Sequence, residues 1–270
     1  MTAIPPVDAP GAPAHTGSTA TRYLGFVVAG GLALLVALGL FISPPSIEQG
    51  DATRIMYIHV PSATTMYYGF GLAGFASAMY LWKKTEFWDL LAGAAAEVGL
   101  VFCGLALATG SIWGKPTWGS YWQWDARLTS TLLLFVLFSG YLAVRALQMD
   151  TAVRAKRAAF VALFAMIDLP IVHYSVDWWR SLHQEPTLAR RDPEIDGMLL
   201  FSLMTGMLVF ALLFTWLLIH RFRVEFLARR HETKGLADAI ATRRAEVHLD
   251  QSHRSPDVLD ASTGAMETTP

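Results

Sequence analysis

"YLGFVVAGGLALLVALGLFI" (Tyr23–Ile42) runs for twenty residues without a charge. About 20 apolar residues make an α-helix long enough to cross a bilayer. Lipid offers backbone groups no water, so only helices and closed barrels span it. Barrel strands alternate apolar and polar residues, and this stretch does not, so it reads as a helix. Five further stretches read the same way: Ala63–Trp82, Leu90–Ser111, Thr129–Met149, Ala158–Val176 and Gly197–Ile219. The 270-residue chain is 53% hydrophobic and only 16% charged, against about 25% charged in soluble domains. The expectation is an all-α membrane protein, a bundle of six transmembrane helices.

The charges fall between these stretches, and their sign sets the orientation. Lys83 and Lys84 follow the second stretch, and Arg154, Lys156 and Arg157 follow the fourth, with Arg145 one turn inside. Arg221, Arg223, Arg229, Arg230 and Lys234 follow the sixth. The other three connections hold Arg54; Lys115 and Arg127; and Arg180, Arg190 and Arg191. Both termini are therefore expected in the cytoplasm, with three loops facing out. Residues 1–22, rich in Pro, Ala, Thr and Gly, read as a disordered cytoplasmic tail. They lack the basic start of a signal peptide. Residues 23–220 form the membrane domain. Within 221–270, "HRFRVEFLARRHETKGLADAIATRRAEVHL" (220–249) carries a basic helix, and the end of the chain reads as a disordered tail. The net charge of -1 gives no reason to expect a nucleic-acid partner.

The second outer loop holds "KPTWGSYWQWDARLTS" (Lys115–Ser130), with three tryptophans and a tyrosine between Trp118 and Trp124. Trp113, Trp118, Trp122, Trp124, Trp178 and Trp179 all lie in or beside outer loops, and only Trp82, Trp88 and Trp216 lie on the inner side. Two readings stand. Aromatic residues form belts at membrane interfaces, but a belt decorates both sides. Rings interleaved with Gly119, Gln123 and Asp125 also suit an amphipathic platform for a large flat apolar ligand.

His59, in "RIMYIHVPSA", and His183, in "SVDWWRSLHQEP", fall in the two outer loops that flank the tryptophans. Two neutral imidazoles can ligate a metal axially while aromatic rings pack on a porphyrin face. His173, ten residues before His183, is expected either to hydrogen-bond behind a ligand or to compete as one. Arg54, Arg127 and Arg180 lie on the side where cations would meet the ligand's carboxylates. Arg127 is equally suited to pair with Asp125 or to cap the fourth helix, and Asp125 to start that helix. Glu97 and Asp168 fall within apolar stretches and are expected to face the bundle interior. Cys103, the single cysteine, excludes an intrachain disulfide and reads as a small buried residue. A P-loop, a Ser-His-Asp arrangement and a Cys-rich metal motif are absent from the sequence, so ATP hydrolysis by this chain is not expected.

"WGSYWQWDARLTS" (Trp118–Ser130) resembles the WGxxWxWD signature of the haem-handling proteins of cytochrome c biogenesis. "YIHVPSA", "GSIWGKPTWG" and "VDWWRSLHQ" narrow the resemblance to the haem exporter protein C (cytochrome c maturation protein C, CcmC) family, over roughly residues 23–220. The resemblance implies haem b, held without a covalent bond at the periplasmic face of the bacterial inner membrane. His59 and His183 would be axial ligands to its iron. Trp118, Gly119, Trp122, Trp124 and Asp125 would hold the macrocycle and meet a periplasmic haem chaperone, cytochrome c maturation protein E. A small one-span protein D and the ABC transporter proteins A and B would complete the assembly in the lipid. The chain would promote covalent attachment on the chaperone without being the nucleophile, so it need not be an enzyme. Asp168 stands where the family leads one to expect an amide. The competing readings are a membrane cytochrome b, a ligand-free scaffold, and a permease for haem or another small molecule that would use Glu97 and Asp168.

Overall fold

The computed structural model describes residues 16–179, 181–183 and 197–254, with side chains as far as 248. The expectations for the extreme tails and for Arg180, Arg190 and Arg191 lie outside the described residues. Seven α-helices follow one another within them: α1 (Thr19–Ala37), α2 (Met56–Lys83), α3 (Glu86–Trp118), α4 (Ala126–Ala146), α5 (Thr151–Ala165), α6 (Asp168–Trp178) and α7 (Gly197–Arg254). The only extended pairing among the described residues is an isolated bridge between Ser46 and Gly50.

Five helical stretches are long and apolar enough to cross a membrane: Thr19–Ile42, Glu86–Trp118, Ala126–Ala146, Thr151–Trp178 and Gly197–His248. Helix α2, at 28 residues, also has the length. It is more polar, because Ser62, Thr64, Thr65, Tyr67, Tyr68, Ser77 and Tyr80 interrupt its apolar residues. The hydroxyls of Ser62 and Thr64 bond back to the carbonyls of Ile58 and Val60, which satisfies them within the helix.

Small residues set the packing. Lipid is as apolar as leucine, so membrane helices associate by close van der Waals contact rather than by expelling water. Helices α2 and α3 meet at Gly69 and Gly99, where a Cβ on Gly69 would stand 2.5 Å from the Gly99 Cα. Ala73, Ala95 and Ala96 extend this seam, and Phe70 stacks on Phe138 of α4 at 3.9 Å between centroids. Helix α1 packs on α7 through Gly31 against Val209. The Trp216 indole N–H of α7 donates to the Thr21 carbonyl at 3.0 Å.

The structure departs from the sequence expectation at three places. Helix α2 begins at Met56 and α3 runs through Trp118, each about two turns beyond the expected end. His59 and Trp113 therefore sit on helices rather than in loops. The fifth stretch is not one helix, because α5 and α6 are separated by a turn at Met166–Ile167. Pro170 explains it: the residue has no N–H, and its ring opposes the Met166 carbonyl. Ile167 and Leu169 then bond three residues back, to Phe164 and Met166. Finally, α1 widens into a π turn over Leu38–Ile42, leaving the Gly39 carbonyl to accept from Arg54.

Two compact units divide the described chain. The helices up to Glu225 make the bundle. The second unit contains the part of α7 from Phe226 onward, a mostly exposed helix with an Arg243–Glu246 pair at 3.7 Å. Residues 220–249, read from the sequence as carrying a basic helix, lie within α7.

Glu97 is held within the bundle by both oxygens. Arg221 donates to Oε1 at 2.6 Å and, through its Nε, to Oε2. Arg221 also reaches Glu225 at 2.8 Å. The deeply buried Asp89 accepts from Arg145 at 2.5 Å, and Gly93 leaves room for that guanidinium. These residues lie at the opposite end of α3 from Trp113.

Candidate functional site

The N-terminal ends of α2 and α4 and the C-terminal ends of α3 and α6 converge at one end of the bundle. They enclose a cavity of about 700 Å³, within the range of small-molecule sites. Its wall is mostly apolar: Met56, Val60, Ala63, Met66, Leu107, Leu128, Val172 and Leu203. Helix α3 contributes Ala106, Leu107, Gly110, Trp113, Gly114, Thr117 and Trp118, the i, i+3, i+4, i+7 stripe of a single helical face.

His59 enters from the first turn of α2. Its Nδ1 lies 3.0 Å from the Ala106 carbonyl and 3.2 Å from the Thr109 hydroxyl. A carbonyl only accepts, so Nδ1 carries the hydrogen and the Nε2 lone pair is left uncommitted. Gly110 is the floor beneath the ring: a Cβ there would stand 2.9 Å from His59 Cε1. Trp113 meets the imidazole edge-on at 5.7 Å, and its indole N–H donates to Gln49 at 3.0 Å, tying the connection between α1 and α2 to α3.

His183 follows α6 and is held in the same manner. Its Nδ1 stands 3.0 Å from Asp125 Oδ2, and Trp118 lies edge-on at 4.9 Å. The same carboxylate oxygen accepts from the Ser181 hydroxyl at 2.6 Å. Asp125 Oδ1 accepts from the Leu128 N–H at 2.8 Å, the N-cap of α4. Burial alone would raise the Asp125 carboxyl, but the hydrogen bonds from His183, Ser181 and Leu128 hold it well below the usual carboxylate range. It stays ionised and acceptor-only, so His183 Nδ1 also carries its hydrogen, and Nε2 has no hydrogen-bond partner among the described residues.

The remaining candidates divide. Trp118 and Arg127 line the cavity; Gly119, Trp122, Trp124, Asp125 and Arg54 do not. Arg127 donates to the His173 carbonyl at 3.1 Å and to Ser175 at 3.4 Å, not to Asp125. Arg54 is spent on the Gly39 carbonyl and on Asp51 at 2.9 Å. Gly119 closes α3 in the left-handed conformation, φ 81°, which glycine adopts without strain. The turn after it places Trp122 edge-on to Trp124. Trp124 is 76% exposed, and the buried Trp122 indole N–H has no hydrogen-bond partner among the described residues. His173 lines the cavity between Tyr67 and Tyr174.

Sequence reasoning centred the aromatic wall on the turn from Trp118 to Asp125. The structure centres it one stretch earlier, on α3. Gly110, Trp113, Thr117, Tyr67 and Gln49 were missed as cavity residues. The five α3 positions from Gly110 to Trp118 follow helical spacing, and that was the available signal. Among the described residues no group of three or more His, Cys, Asp or Glu could hold a bare metal ion.

The family model described as CcmC, heme exporter protein C, matches residues 8–237. Three relatives named "Heme exporter protein C" resemble the chain over most of their length. The protein of Bradyrhizobium diazoefficiens is 40% identical over 220 residues, covering 78% of this chain and 84% of the relative. That of Haemophilus influenzae is 37% identical over 213 residues, 77% and 87% of the two chains. That of Escherichia coli K12 is 36% identical over 208 residues, 76% and 83%. With the family model spanning the whole bundle and these relatives matching most of the chain, the chain belongs to the haem exporter protein C (CcmC) family.

Proposed function

We propose that this chain takes part in haem handling for cytochrome c biogenesis: it binds haem b as cargo and delivers it to the periplasmic chaperone, protein E. It does so as a six-span protein of the bacterial inner membrane with both termini in the cytoplasm and its cavity on the periplasmic side. Protein D and the ABC transporter proteins A and B are the proposed companions in a multi-subunit complex. The basic residues around Lys83, Lys84 and Arg154 at the end of the bundle remote from the cavity support that orientation.

One observation carries the reading. Two imidazoles from distant parts of the chain line one apolar cavity, each with Nδ1 satisfied and with no partner for Nε2 among the described residues. Two imidazoles are too few for a bare metal but suit iron whose other ligands come from a macrocycle. The family membership points to the same cargo. In this reading His59 and His183 ligate the iron, Trp113 and Trp118 pack beside the imidazoles, and Arg127 offers a cation to a propionate. Trp122, Trp124 and the exposed Trp178 form a rim that faces the chaperone. A permease that moves its substrate past Glu97 is disfavoured, because Arg221 already holds that carboxylate.

The test is the absorption spectrum of the detergent-purified protein as wild type, His59→Ala and His183→Ala. A low-spin bis-imidazole haem spectrum, altered in both variants, is expected. A spectrum indifferent to both substitutions would remove the assignment.

A further inference from the structure

The two histidines are held by acceptors of different strength. Behind His59 stand neutral groups only: the Ala106 carbonyl at 3.0 Å and the Thr109 hydroxyl at 3.2 Å, whose own hydrogen goes to the Leu105 carbonyl at 2.7 Å. Behind His183 stands the Asp125 carboxylate at 3.0 Å, with only 7% of its side chain exposed. That carboxylate is anchored in turn by the Leu128 N–H and the Ser181 hydroxyl, and Ser181 also accepts from the His183 backbone N–H at 3.1 Å.

A carboxylate that accepts the Nδ1 hydrogen makes the imidazole a more basic ligand and fixes its orientation. A carbonyl does so more weakly. Water screens little of this charge, because the carboxylate is buried. From this asymmetry we infer that the two axial ligands are unequal: His183, backed by Asp125, is the firm ligand, and His59 is the one that releases iron first. Asp125 is then a positioning residue. It joins the tryptophan-bearing turn, the N-terminus of α4 and the segment after α6 at one carboxylate. A cargo protein has to hold its ligand and then surrender it, and unequal ligands give that surrender an order. The inference rests on the reading that both imidazoles take haem iron.

The experiment uses the full-length protein in detergent, titrated with haem, as wild type, His59→Gly, His183→Gly and Asp125→Asn. Asparagine still caps a helix and still offers an oxygen to His183, but without the charge. His59→Gly is expected to retain haem at least about tenfold more tightly than His183→Gly, the lower end of the effect that outer partners exert on metal affinity. Asp125→Asn is expected to keep a low-spin spectrum while its midpoint potential rises by ~59 mV or more, a tenfold change for a one-electron couple. A merely structural role for Asp125 would not move that potential. Equal retention by the two glycine variants, or an Asp125→Asn midpoint equal to wild type, overturns the inference and leaves the haem site standing. A wild type without low-spin haem overturns both. If Asp125→Asn does not fold, the two glycine variants still decide.

Discussion

Gly110→Ala places one methyl group against the site and is the sharpest test of its geometry. The new Cβ would stand 2.9 Å from His59 Cε1 and 3.3 Å from its Nδ1. Carbon atoms pack at about 3.5–4.0 Å, so the ring must retreat by roughly 0.6 Å or more, and α3 backbone cannot yield in its place. A retreat of that size takes the 3.0 Å bond from Nδ1 to Ala106 out to about 3.6 Å, beyond a useful hydrogen bond. One ordinary hydrogen bond is worth about 1 kcal/mol net, roughly fivefold in the population of the correctly held ring. Misplacing a ligand whose outer partner is lost lowers metal affinity by about 10–100-fold. The assay is haem titration of the purified full-length protein, followed by the low-spin absorption bands. Gly140→Ala on α4 is the control, because a Cβ there meets nothing within 4 Å. Haem affinity of Gly110→Ala equal to that of Gly140→Ala would refute the placement of His59 on Gly110.

Three further outcomes follow from the structure. Trp118→Ala, which removes the ring beside His183, is expected to weaken haem retention, whereas Trp124→Ala, outside the cavity and mostly exposed, should leave the spectrum unchanged; equal losses would return the wall to the turn. Asp89→Leu leaves the buried Arg145 without its closest carboxylate and is expected to cost about 3–5 kcal/mol, seen as a lower thermal midpoint in detergent; an unchanged midpoint would show that the pair does not hold α3 to α4. Asp168 is buried, and neither of its carboxylate oxygens has a partner among the described residues. Asp168→Asn, which relieves an uncompensated acid in an apolar setting, is therefore expected to leave the thermal midpoint equal or higher, and a clear fall would reveal a partner for the acid.

Much of the bundle was legible because membrane helices write themselves as long apolar runs. Each expected stretch falls mainly on helix, with a turn at Met166–Ile167 inside the fifth and the fourth running three residues past the end of α4. The ends were misjudged where polar or small residues stay helical beyond the apolar run, as with Met56–Ser62 before the second stretch and Ile112–Trp118 after the third. Hydropathy falls there, but the backbone still bonds within the helix. The break between α5 and α6 was written in Pro170, and the apolar residues around it concealed it.

The sequence by itself determined the helices, the sign of charge at each end of the bundle, and the two histidines and tryptophans worth examining, since periodicity, length and composition are local properties. The tertiary structure alone decided which groups meet. It set Asp125 behind His183, 58 positions along the chain, and the Ala106 carbonyl behind His59, 47 positions away. It brought Arg221 to Glu97 across 124 positions. It also turned one face of α3, rather than the turn after it, toward the cavity. Side-chain direction depends on where a helix ends and on the glycines that let neighbours approach, and both are set by packing between segments that are distant in sequence.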